Sequence, residues 1–204
     1  MNGSRLLAIA ATATALASIV NAADTQVPPD EVSKAAAKCQ TCHDAGTDNS
    51  HPQTPRLNGQ HYQYIVNQLK GFRDPTRQDP HAINTMWPIA TQTADEMMLA
   101  LATRFSSQAP AEPPRRNDAL AETGRRIFME GVPSANVPAC LSCHGVQGLG
   151  SDTVPRLAGQ HAVYLAHAME SLRFALRESN VMHPELNNIN EDQINALVAY
   201  LARD

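Results

Sequence analysis

Cys39-Gln40-Thr41-Cys42-His43 returns further along the chain as Cys140-Leu141-Ser142-Cys143-His144, and together the two stretches use every cysteine present. C-x-x-C-H is the attachment signature of a c-type haem. Two thiols add across the porphyrin vinyl groups, and the adjacent histidine is placed to ligate the iron from one face. Other uses of four cysteines fit less well. Two structural disulfides would not require a histidine after each pair. A four-thiolate zinc site needs only the C-x-x-C knuckles and leaves both histidines without a role. A thioredoxin-like motif needs a βαβ context, and no segment here reads convincingly as a strand. The sequence therefore predicts two covalently bound haems c, on Cys39 and Cys42 and on Cys140 and Cys143, with His43 and His144 as proximal iron ligands.

Working outward, each motif is followed by the same words. Pro55-Arg56-Leu57-Asn58-Gly59-Gln60-His61 answers Pro155-Arg156-Leu157-Ala158-Gly159-Gln160-His161, and Met86-Trp87-Pro88 answers Met182-His183-Pro184. The offset between copies is 101 at the cysteines, 100 at the prolines and 96 at the methionines, so the chain is an internal duplication with short insertions. Helical periodicity repeats too. Ile65, Leu69 and Phe72 share a face, matched by Leu165, Met169 and Leu172. Met98, Leu101, Ala102 and Phe105 take the i, i+3, i+4, i+7 pattern, as do Ile194, Leu197, Val198 and Leu201. Thr93 with Glu96, and Asn190 with Gln193, are placed to cap these last helices. Further short helices are predicted before each haem motif, over 30–38 and 118–130. Ala109 to Asn117 is proline-rich and polar and reads as a linker. The expected architecture is all-α, with two tandem haem-bearing domains, residues 24–108 and 118–204, joined by the segment 109–117.

Residues 1–22 read as an export signal. Arg5 precedes an apolar run from Leu6 to Val20, which ends in Val20-Asn21-Ala22, so cleavage is expected after Ala22 or Ala23. The run is shorter than the roughly 20 residues that span a bilayer, although retention as an anchor stays open. The remaining length fits one large domain or two small ones. Formal net charge is −4, with acids and bases shared evenly between the halves. No basic stripe points to nucleic acid, and no acidic tail to basic partners. Aromatic residues make up only 4% of the chain, so two small cores would be thin without a large apolar prosthetic group to pack on.

The sixth position on each iron decides between carrier and catalyst, and methionine, histidine or an open site are the choices. Met86 and Met182 occupy equivalent positions in both copies and are expected in loops beside proline. Met97, Met98, Met129 and Met169 instead read as helical core filling. His61 and His161 also repeat and are the rival ligands, but they follow Gly-Gln at a helix start, where surface or supporting roles are as reasonable. His183 has no counterpart in the first copy, and His51, His81 and His167 are expected to face solvent.

The second half in particular, with Gly124, VPSANVPACLSCHG, PRLAGQHAVYL, Met182 and INALVAYLAR, resembles dihaem cytochrome c4. The resemblance extends over the chain as tandem class I cytochrome c domains. It implies a periplasmic electron carrier, soluble or loosely membrane-associated, with His/Met ligation at both irons: His43 with Met86, and His144 with Met182. It further implies that the carbonyls of Pro55 and Pro155 receive the proximal imidazole N–H groups, a bond that fixes ring orientation and basicity. Arg56 and Arg156, next to these prolines, are candidates for pairing with haem propionates, or for ordinary surface ion pairs. The first half departs more from the pattern. It lacks the Gly-x-x-x-Phe of Gly124 to Phe128, continues His43-Asp44 rather than His-Gly, and has Arg104 where the second copy has Tyr200.

A six-coordinate His/Met iron leaves no site for oxygen or peroxide, so the expected function is outer-sphere electron transfer, between a membrane reductase complex and a terminal oxidase. Two alternatives stay open. One is a dihaem enzyme with one open distal site, for which the chain is short and has no spare cysteine. The other is the cytochrome subunit of a flavocytochrome-type dehydrogenase acting on sulfide.

Overall fold

The computed structural model describes residues 26–43, 51–74, 76–112 and 118–202. The export segment and the second part of the linker, residues 113–117, lie outside them. Among the described residues the chain forms α-helices and isolated bridges but no sheet. The first half holds α1 (Pro29–Gln40), α2 (Tyr62–Arg73), α3 (Trp87–Thr91) and α4 (Asp95–Ser106). The second holds α5 (Ala119–Glu130), α6 (Leu141–His144), α7 (Ala162–Arg173), α8 (Met182–Asn187) and α9 (Glu191–Leu201). None is long and apolar enough to cross a membrane.

The apolar stripes go where their periodicity sends them. Met98, Leu101, Ala102 and Phe105 of α4 are all buried. With Ala36 of α1 and Ile65 and Val66 of α2, the last three of these form the first core. Ile194, Leu197 and Leu201 of α9 join Ile127, Phe128, Leu165, Met169 and Leu186 in a second, larger core. Its centre is the crossing of α5 over α9. A Cβ at Gly124 would lie 1.9 Å from the carbonyl oxygen of Ala196, so only glycine permits this approach. The Gly-x-x-x-Phe of the second copy is therefore a packing device: Gly124 admits α9, and fully buried Phe128 tilts against Tyr200.

Helix starts differ between the copies. Asn190 and Gln193 form a reciprocal capping box at α9, each side chain meeting the other's backbone N–H at 2.8–2.9 Å. The matching expectation for Thr93 and Glu96 fails. Ala94 takes the N-cap position of α4, and the Thr93 hydroxyl turns back to the carbonyl of Ile89 at 2.8 Å. A threonine directly after a helix finds an acceptor in that helix before it reaches the next.

The methionine segments are helical rather than loops. Met86 ends a π-helical turn, Ala82–Met86, that runs directly into α3, and Met182 begins α8. The copies are offset by 100 at Asp79 and Ser179 but by 96 at the methionines. The four extra residues of the first copy thus fall in the π-helical turn, a geometry often associated with functional sites.

The Pro-Arg-Leu-x-Gly-Gln repeat docks each copy on its own last helix and on the other copy. The N–H of Gly59 donates to Phe105 O, and that of Gly159 to Leu201 O, both at 2.9 Å, which satisfies helix-end carbonyls. Both glycines have positive φ, and a Cβ would strike Pro110 at Gly59, or the carbonyls of Ala111 and Glu112 at Gly159. The start of the linker is thus packed over the junction. Beside it, Gln60 accepts from Arg156 N at 2.9 Å and donates to Arg156 O at 3.0 Å. Gln160 treats Arg56 in the same way, at 2.8 and 3.1 Å. The halves clasp through a pseudo-two-fold pair of glutamines.

Candidate haem-binding sites

In each copy the cysteine pair lies on a single turn that ends at the histidine. His43 N bonds to Cys39 O at 2.9 Å and His144 N to Cys140 O at 3.0 Å. Cys39 and Cys140 are half-buried and pack against the two cores, whereas Cys42 and Cys143 are exposed. All four thiols are free of disulfides. No group of three or more His, Cys, Asp or Glu among the described residues could hold a metal ion, so the four thiols do not converge as a zinc site would require. Burial pushes the Cys140 thiol up to about 11, and raises that of Cys39.

Both histidines are buried, and each is held by a proline carbonyl. His43 Nδ1 donates to Pro55 O at 2.8 Å, and His144 Nδ1 donates to Pro155 O at 3.1 Å. A proton fixed on Nδ1 leaves the lone pair on Nε2, the nitrogen available to iron. Burial holds the His144 imidazole below its ordinary pKa, against the opposing effect of the Pro155 carbonyl, so the ring favours the neutral form that a metal needs.

Met86 and Met182 are both half-buried, and Met182 packs against the second core, as Cys140 does. The arginines beside the prolines are anchored in the clasp. Arg56 Nη1 donates to Gly159 O at 2.8 Å, and Arg156 Nη2 reaches Ala111 O at 3.4 Å. The Nε of Arg156 is buried with no hydrogen-bond partner, and desolvation lowers its guanidinium pKa. A half-buried cation with an unpaired Nε favours an anion beside it. Cysteine pairs, imidazoles of the correct tautomer, thioether side chains and this arginine all suit a propionate-bearing haem.

Of the remaining histidines, His51 and His81 are exposed, as expected, whereas His167 is half-buried. His161 is buried at the start of α7. His61 Nε2 donates to Leu149 O of the other half at 2.8 Å. His81 and His167 stack on each other across the halves, with ring centroids 5.9 Å apart. Two features were missed from the sequence: Gln60 and Gln160, although their repetition within the motif is a visible signal, and the partly buried group of Tyr64, Gln68, Arg77, Asp79 and Arg177, for which only the 100-residue spacing of the two arginines gives a hint.

A family model for cytochrome c matches residues 121–203. A cytochrome c4 of Thiocapsa roseopersicina is 33% identical over 82% of this chain and 88% of its own length. The chain belongs to the cytochrome c4 family. A cytochrome c-552 of Acidithiobacillus ferridurans is 34% identical over 98% of the chain and 84% of its own length. The solved cytochrome c4 of Acidithiobacillus ferrooxidans superposes with a TM-score of 0.76 at 35% identity, covering 81% of this chain and 98% of its own. A Thiomonas intermedia protein named as a thiosulfate dehydrogenase electron acceptor is 31% identical over 97% of the chain and 90% of its own length. As a cytochrome c4, this protein is a dihaem c-type electron carrier built from tandem class I cytochrome c domains, and its two C-x-x-C-H motifs account for two covalent haems.

Proposed function

We propose that both irons are closed by histidine and methionine, His43 with Met86 and His144 with Met182, and that the protein is a periplasmic shuttle between a membrane reductase complex and a terminal oxidase. The observation that carries this reading is the repeated imidazole geometry, in which a proline carbonyl holds Nδ1 in both copies. Two domains, 24–108 and 118–204, then flank the linker 109–117, and residues 1–22 direct export. Haem ligated by histidine and thioether exchanges single electrons at a raised potential and offers no site for oxygen or peroxide. The chain's own residues do the rest. Pro55 and Pro155 would orient the proximal rings, Met86 and Met182 would fill the distal positions, and the half-buried Arg156 would balance propionate charge. The glutamine clasp holds the two copies in one arrangement.

A second reading concerns only the electron source. The relative named as a thiosulfate dehydrogenase electron acceptor favours a periplasmic dehydrogenase as donor, with the same closed irons. Neither reading requires substrate chemistry on this chain.

Met86→Ala and Met182→Ala test the ligation. Each variant is expected to gain carbon monoxide binding at one ferrous haem and to lose about half of the methionine–iron charge-transfer absorbance. If both variants keep the full band and bind no carbon monoxide, the ligands have been assigned wrongly.

A further inference from the structure

The two methionine segments begin in the same way but with different chemistry. In the first copy, the Oδ1 of Asp79 accepts the backbone N–H of Ala82 at 3.0 Å, at the start of the turn that ends in Met86. In the second copy, Ser179 Oγ accepts the N–H of Met182 itself at 2.9 Å. Asp79 and Ser179 are repeat equivalents, so the neutral cap of one copy is a buried carboxylate in the other.

That carboxylate is fixed from behind. Arg77 donates Nε and Nη2 to Asp79 Oδ2 at 3.1 and 2.9 Å, and both side chains are nearly inaccessible, at 11% and 7% exposure. The Arg77 guanidinium lies over the Phe72 ring, 4.3 Å from its centroid, and its Nη1 donates to Gln68 Oε1 at 3.2 Å. The same Gln68 oxygen accepts from Arg177 Nη2 at 2.8 Å, and Arg177 also donates to the Tyr64 hydroxyl. Arg77 and Arg177 pair as an antiparallel bridge between the halves. One buried hydrogen-bonded chain therefore runs from the Met86 turn, through Asp79, Arg77 and Gln68, to the second copy.

We propose that Asp79 is the positioning residue for Met86. Its carboxylate anchors the first turn of the methionine segment to the interface between the halves, and its charge sets the potential of the first haem apart from that of the second. The inference rests on Met86 being a ligand. A buried carboxylate that holds a backbone N–H with one oxygen and a guanidinium with the other keeps the turn in one geometry, because releasing either partner strands a buried polar group. Arg77 offsets part of its negative charge, but Arg177 stands at the same place in the second copy. The copies therefore differ here by the Asp79 carboxylate, which favours the oxidised, more positive iron, whereas Ser179 contributes no such charge.

The test compares Asp79→Ala, Asp79→Asn and Met86→Ala in the matured dihaem protein. The readouts are the methionine–iron band and a redox titration in which Met86→Ala identifies the first haem. Asp79→Ala is expected to lose about half of the band and to lower the first potential, with the second haem as an unchanged internal control. Asp79→Asn keeps an oxygen for the Ala82 N–H but gives up the charge and the acceptor facing Arg77, so the band should persist, at least in large part, while the first potential rises. Should Asp79→Ala fail to mature, Asp79→Asn decides alone, since an unmoved first potential overturns the proposal. A full band and an unchanged first potential in Asp79→Ala, with half the band lost in Met86→Ala, would reject the positioning role while leaving the ligation intact. A full band in Met86→Ala would remove the ligation and this inference with it.

Discussion

His144 shows how one residue can be specified twice. Its place in C-x-x-C-H puts it next to the cysteine pair, and the Pro155 carbonyl on Nδ1 leaves the Nε2 lone pair for the iron it is proposed to ligate. The motif was legible in the sequence because it is local. The proline carbonyl came only from family resemblance, since no pattern states which backbone oxygen will lie beside a ring. Gly124 is a comparable case. Its lack of a side chain is visible in the sequence, but its purpose appears only when α9 is found against it. Gly124→Ala would place a methyl group 1.9 Å from Ala196 O and 2.9 Å from Tyr200 Cβ, both on a packed helix. A loss of about 3 kcal/mol in denaturant unfolding is expected, as overpacking at a rigid contact costs. Wild-type stability in that variant would mean that the α5–α9 crossing is looser than described.

Among the elements, the helices with strong periodicity were read correctly from the sequence, and the two joints between helices were not. The stripe of α4 buries all the residues that its spacing selects, and that of α9 buries Ile194, Leu197 and Leu201 with Val198 half-buried, because burial of one face is the dominant local demand. Capping depends on smaller energies and finer geometry. Asn190 and Gln193 meet that geometry, whereas Thr93 is taken by the preceding helix. Asn190→Ala should therefore destabilise the second half by about 1 kcal/mol, while Thr93→Ala should leave α4 unaffected at its start. Paired denaturation curves of the two variants would check this, and equal effects would contradict it. The π-helical turn before Met86 was hidden in the sequence as a mere change of repeat offset from 100 to 96. A length difference of four residues does not announce whether it will be absorbed as a loop or as a helical turn.

For the whole molecule, duplication is the organising fact, and the sequence displayed it openly. The manner in which the copies join was less visible. Gln60 and Gln160 each reach the backbone of the other copy's arginine, so a motif that reads as a short-range turn also acts as a long-range clasp. The linker, expected to be a plain strap, lays Pro110 and Ala111 over the glycines of both copies. The joined copies are not equal, however. The second has the larger core, the capping box and a neutral cap on its methionine segment, while the first has a buried Asp79–Arg77 pair at the same place. If the proposed role of Asp79 holds, the two haems differ in potential, which suits a carrier that accepts and releases electrons singly. The central claim is that both irons are closed. It is tested most directly by adding carbon monoxide to the fully reduced, matured protein and recording its optical spectrum. Two closed irons give two haems per chain, a methionine–iron charge-transfer band in the ferric form, and a ferrous spectrum unchanged by the gas. Carbon monoxide binding at either haem of the wild-type protein would reveal an open distal site and contradict it.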